Sequence, residues 1–145
     1  MHTVLLVVLI GLAGGVAVGL QGPLSSLMSQ RIGMMESIFI IHLGGTVAAL
    51  LPLLVAGGGN LSSWRSVPWY ALVAGTFGLV VLGAISYAIP RVGVATTIIL
   101  IVAGQLTIGA LLDHFGLLGA SVRPFDLGRL AGIIVLSVGV WLMVR

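Results

Sequence analysis

Apolar residues run through this chain in long unbroken stretches, and no other feature limits its fold so strongly. Thr3 to Leu20 contains no charged side chain, and comparable runs recur to the last residues. About 20 such residues make an α-helix long enough to cross the hydrocarbon core of a bilayer. The alternative spanning structure, a β-barrel, alternates apolar and polar residues with a period of two. These runs do not alternate, so they predict helices. Charge is correspondingly scarce. Six arginines and three acids among 145 residues make 6%, against roughly a quarter in a soluble domain. With 59% of residues hydrophobic, the chain cannot cover a water-facing surface with polar groups. A soluble enzyme, a nucleic-acid module and a disordered chain are excluded, and the solvent is lipid.

The length accommodates five spans and little else. They are expected at about 3–28, 36–56, 68–89, 94–112 and 127–144, forming a single five-helix transmembrane domain over residues 1–145. The first apolar run has no basic segment before it, so it reads as a span rather than a secretory signal. Within it, Gly11, Gly15 and Gly19 are four residues apart, a spacing that lets another helix approach closely. Pro23 cannot donate to the carbonyl of Gly19, so a kink or break is expected there. Trp69 and Tyr87 lie at opposite ends of the third span, roughly 27 Å apart along a helix, which suits the two interfacial belts of a bilayer. No internal repeat stands out.

The basic residues are all arginine. They are scattered singly and form no patch, which argues against nucleic acid despite the basic balance. Five spans put the termini on opposite sides. Arg65, Arg123 and Arg129 then fall on the N-terminal side, and Arg31, Arg91 and Arg145 on the other. An excess of Lys and Arg on the cytoplasmic side normally sets orientation; here the count is three against three. The expectation is insertion in both orientations and pairing as an antiparallel homodimer. The alternative is that loop length or the amino terminus breaks the tie. Asp113, at a helix C-terminus where the macrodipole disfavours an anion, is expected to pair with Arg65, Arg123 or Arg129. Glu36 falls at a helix N-terminus, where an anion is favoured.

In its motifs the chain resembles the small five-helix, YdcZ-like family of the drug/metabolite transporter superfamily. The matching segments are Gly19-Leu20-Gln21-Gly22-Pro23, Phe39 to Gly45, Pro68-Trp69, Gly75-x-x-Gly78, Gly104-Gln105-Leu106, Asp113-His114-Phe115-Gly116, and the glycines Gly132 and Gly139. Ser25 and Ser26 stand where the family pattern often has an asparagine. The resemblance implies an all-α integral membrane protein of the bacterial inner membrane. It also implies one half of an inverted-repeat architecture, in which ten-helix relatives bind substrate between two five-helix halves. A lone five-helix chain would then act as a dimer.

Polar groups in hydrocarbon are costly and tend to mark pathways or buried packing. Gln21 lies at the expected break of span one, where helix ends can hold a solute; alternatively it satisfies the carbonyl freed by Pro23. Gln105, near the middle of span four, binds substrate or a neighbouring helix. His42, with Thr46 one turn further on, can exchange protons near neutral pH or make an interhelical bond. Among Tyr87, Ser86, Thr96 and Thr97, the hydroxyls of Ser and Thr usually bond their own helix backbone, which leaves Tyr87 as the candidate. Trp64, Trp69 and Trp141 are interfacial anchors; Trp69 can also wall a pocket for a cation, with Phe39 as a second aromatic wall. Asp113 and His114, adjacent and so on different helix faces, read as a cap and ion pair or as gating groups. No carboxylate sits at mid-membrane depth, and Glu36 is the nearest.

No cysteine, paired catalytic carboxylates, phosphate-binding glycine loop or zinc spacing occurs. No enzyme activity, metal or cofactor is therefore expected. The sequence reads as a secondary transporter of small organic solutes, working by alternating access at the interface of an antiparallel homodimer. Its substrate site would combine Gln21, Phe39, His42, Trp69, Tyr87 and Gln105, with Glu36, Asp113 and His114 as coupling or gating candidates. The alternative is a membrane assembly or accessory subunit that transports nothing.

Overall fold

The computed structural model describes residues 2–145, and among these all regular structure is helical, with no strand. In chain order the helices are α1 (His2–Ile32), α2 (Met34–Val55), α3 (Trp69–Leu72), α4 (Phe77–Val92), α5 (Val94–Phe115) and α6 (Leu127–Val144). A 3₁₀ turn, Ala74–Thr76, joins α3 to α4, so that Trp69–Val92 makes one interrupted span. Five spans result, each long and apolar enough to cross a bilayer. This is the all-α membrane architecture that the continuous apolar runs predict.

The discontinuity does not fall where the sequence places it. Helix α1 continues unbroken through Pro23 to Ile32. The turn around Pro23 is among the most tightly packed parts of the chain: Gly22, Ser25 and Ser26 are buried, and the space beside Gly22 is filled by Ile85 and Ile89. That packing holds the helix across the missing backbone donor, as neighbouring helices allow in membranes. The break lies instead in the third span, which has no interior proline at that point. There the backbone N–H of Thr76 donates to the Val73 carbonyl at 2.9 Å, and its hydroxyl donates to the same oxygen at 2.7 Å. Both bonds reach back three residues, which tightens the chain into a 3₁₀ turn.

Two pairs of consecutive spans are each joined by a single residue. Gly33, at φ 104° and ψ 153°, links α1 to α2, and Gly93, at φ 84° and ψ 168°, links α4 to α5. This region of backbone space is essentially restricted to glycine. Around the two turns a local repeat appears that the sequence alone does not make obvious. Sixty residues separate Arg31 from Arg91, Gly33 from Gly93 and Ser37 from Thr97. The same spacing relates the buried positions Gly22, Ser25 and Ser26 of α1 to Leu82, Ile85 and Ser86 of α4. The identities agree at three of the six positions, and what repeats throughout is the turn and the distance from it to the buried ridge.

The chain forms two compact units, one ending at Pro90 and the other comprising Arg91–Arg145. In the first, α1 packs on α2, and the buried apolar side chains are Ile38, Leu82 and Ile85. In the second, α5 packs on α6, with the Thr96 hydroxyl donating to the Met143 carbonyl at 3.2 Å. Most large apolar side chains point outward, as expected where the surroundings are lipid rather than water.

Candidate functional site

In the first unit, hydroxyl groups tie the helices together. Ser25, Ser26 and Ser37 are essentially inaccessible, and Ser86 is buried. Ser29 donates to the Ser86 hydroxyl at 2.8 Å, and the Ser25 and Ser86 hydroxyls lie 3.3 Å apart. Ser37 donates to the Ser25 carbonyl at 3.1 Å, and Gln30 donates to the Ser26 hydroxyl at 3.2 Å. The expectation that Ser86 bonds its own helix is therefore corrected, since it bridges α4 to α1. Thr96 departs from it too, donating to the Met143 carbonyl of α6, whereas Thr97 bonds the Gly93 carbonyl at the start of its own helix as expected.

Toward the other end of this unit, Gln21, His42, Thr46 and Gly78 line a groove of about 550 Å³. The Nδ1–H of His42 donates to the Ile38 carbonyl at 2.8 Å. A carbonyl only accepts, so in the neutral ring Nε2 is left as an acceptor. The ring lies against Gly78: a Cβ there would sit 2.5 Å from Nε2. Gly78 stands just past the 3₁₀ break, so the interrupted span, His42 and Gln21 belong to one local site. Among the described residues nothing bonds the Gln21 amide or His42 Nε2. A lone amide facing hydrocarbon costs on the order of 1–3 kcal/mol.

The second unit holds a different polar cluster. Arg129 pairs with Asp113 at 3.4 Å, which selects one of the three partners the sequence allowed. Its Nη1 also donates to the Arg123 carbonyl at 3.1 Å. Asp126 caps α6, accepting from the Arg129 backbone N–H at 2.8 Å. His114 accepts from the Phe125 backbone N–H at 3.2 Å through Nδ1, and its ring packs on Phe115 and Phe125. Asp113 and His114 thus anchor the 120–126 connection. Gln105 lines a cavity with Asp113 and Arg129. Arg129 was not among the sequence candidates, because a single arginine in a helix's first turn reads as an interfacial charge.

The remaining candidates lie apart from these groups. Phe39, Trp69 and Tyr87 are on outward faces, 67%, 75% and 62% exposed, and Trp69 meets Tyr70 edge-on. Trp64 and Trp141 each carry an arginine over the ring, Arg65 and Arg145, as interfacial anchors do. Glu36, in the first turn of α2, folds its carboxylate back over Gly33.

Five apolar spans, one of them interrupted beside a polar groove, define a multi-pass membrane protein. Residues 6–142 match the family described as "Putative inner membrane exporter, YdcZ", and the chain belongs to that family. It is 41% identical over 91 residues to the inner membrane protein YdcZ of Escherichia coli (strain K12). That alignment covers 63% of this chain and spans 59% of the relative's length. No solved structure matches the chain.

Proposed function

We propose that the chain is a secondary transporter that moves small organic solutes across the inner membrane by alternating access, acting as an antiparallel homodimer. One observation carries this reading: the Gln21 amide and His42 Nε2, both without a partner among the described residues, line one groove beside the broken third span. Discontinuous membrane helices hold solutes in transporters, and polar groups left unpaired within a span call for an outside partner. The family description supports the direction as export. The even division of six arginines supports dual insertion. Gln21 and His42 would contact the solute in this groove, Gln105 would contact it in the second unit's cleft, and in the dimer the outward-facing Phe39, Trp69 and Tyr87 would wall the path. Glu36, Asp113 and His114 would act at its ends.

The test uses purified protein in thermal unfolding, screened against small metabolites. A solute that binds only the folded state raises the melting temperature by mass action. At least one is expected to do so, with the effect lost in His42→Ala and Gln21→Ala. If none does, and reporters fused to the C-terminus locate it on one side only, both the transport and the dual-insertion readings fail. The accessory-subunit reading then replaces them.

A further inference from the structure

We infer that the cleft between α5 and α6 binds an organic carboxylate, an anionic head on an apolar body, with Arg129 holding the head. The inference rests on the transporter reading and adds to it a site in the second unit, distinct from the groove at Gln21 and His42. The cleft has a volume of about 460 Å³ and is lined by Gln105, Leu106, Gly109, Asp113, Arg129 and Gly132, among others. It is open because of its glycines: a Cβ at Gly109 or Gly132 would meet nothing within 4 Å. Eight residues separate Gln105 from Asp113 on α5, roughly 12 Å along the axis. The cleft therefore has an amide near one end, a charged pair at the other and apolar walls between.

The charged end is under-occupied. Both side-chain bonds of Arg129 leave from Nη1, to Asp113 at 3.4 Å and to the Arg123 carbonyl at 3.1 Å. Among the described residues nothing bonds its Nη2 or Nε. A guanidinium carries five N–H donors in a planar fork that fits a carboxylate through two parallel bonds. Charge-assisted pairs of this kind close at about 2.7–2.9 Å, so Asp113 is a long, single-point counterion that keeps Arg129 aimed and leaves its fork free. Asp126 is committed to capping α6 and does not compete for the fork. Asp113 is itself already paired, which disfavours a cation at the same place.

The experiment is thermal unfolding of the full chain in nanodiscs, titrated with three probes of equal length: hexanoate, hexylammonium and hexanol. Hexanoate is expected to raise the melting temperature and hexylammonium to leave it unchanged, with hexanol weaker than hexanoate. Affinity is read from the concentration dependence, which separates binding from any change in basal stability. Arg129→Gln should weaken hexanoate roughly 10- to 100-fold. Arg129→Lys, which keeps a cation for Asp113 but loses the fork, should weaken it by less, and Gln105→Ala should weaken longer carboxylates that reach it. Asp113→Asn should tighten hexanoate by removing the negative charge beside the fork. An anionic lipid headgroup presents a similar oxyanion, so discs of phosphatidylcholine are compared with discs containing phosphatidylglycerol. If phosphatidylglycerol alone gives the Arg129-dependent shift, or if hexanoate acts equally on wild type and Arg129→Gln, the inference is overturned. A hexanoate response lost in His42→Ala and kept in Arg129→Gln would also overturn it while leaving the transporter reading intact.

Discussion

Gly78→Ala should couple to His42 and to nothing else nearby. The added Cβ would lie 2.5 Å from His42 Nε2, 3.2 Å from Cε1 and 3.7 Å from Cδ2. Carbon contacts are most favourable near 3.5–4.0 Å, so the imidazole must withdraw by about 1 Å. The ring is tethered by the 2.8 Å bond from Nδ1 to the Ile38 carbonyl, which a movement of that size would stretch beyond useful length. Loss of that bond costs about 0.5–1.5 kcal/mol. Alanine in a helix recovers up to about 1 kcal/mol relative to glycine, so the net change in stability should be small. The coupling should still be visible in a double-mutant cycle. In a His42→Ala background the clash disappears, and Gly78→Ala should become stabilising. The expected interaction energy between the two sites is about 1–2 kcal/mol, measured by reversible unfolding in mixed micelles. A second readout is the ¹⁵N chemical shift of the His42 ring, which reports the tautomer and should change in Gly78→Ala. A coupling energy indistinguishable from zero, with an unchanged ring spectrum, would refute the placement of His42 against Gly78.

Three further expectations concern stability, each measured by the same unfolding assay. Ser86→Ala removes the acceptor and donor that join α4 to α1 and should cost about 0.6–1.7 kcal/mol, the range seen for interhelical bonds in membranes; no cost would mean the serines return to their own backbones without loss. Gly93→Ala forces an alanine into a glycine-only conformation and should cost about 1–3 kcal/mol, whereas Gly132→Ala, with open space beside it, should be neutral or mildly stabilising. Asp126→Ala deletes the cap of α6 and should cost about 1 kcal/mol, while Asp126→Asn, which keeps a capping oxygen, should cost little.

The spans were legible in the sequence because hydrocarbon imposes one requirement over the whole length of a helix. A run such as Met34–Val55 has no other stable form in lipid. The Asp113–Arg129 pair was legible to within three partners, since an acid at a helix C-terminus needs a cation and few exist. The site was less so. Proline marked the wrong span: Pro23 removes one backbone donor, and packing by Ile85 and Ile89 compensates for that, whereas Thr76 bends the chain with bonds from both its backbone and its hydroxyl. The serines were ambiguous because a hydroxyl satisfies itself equally well on its own helix or across to another. Only the meeting of the Gly22 and Ile85 faces decides between them. His42 was singled out as a residue type, but its tautomer depends on the Ile38 carbonyl and its position on the missing side chain of Gly78.

The two one-residue turns bear on how the chain enters the membrane. A one-residue turn leaves no tether that could be threaded separately, so α1 and α2, which pack on each other, enter as a pair. Arg31 and Arg91 each ride two residues ahead of the tip. Whichever way a hairpin is delivered, its single arginine either crosses at the leading point or is retained there. The arginine beside a one-residue turn thus shares the fate of both flanking spans, crossing or staying behind with them together.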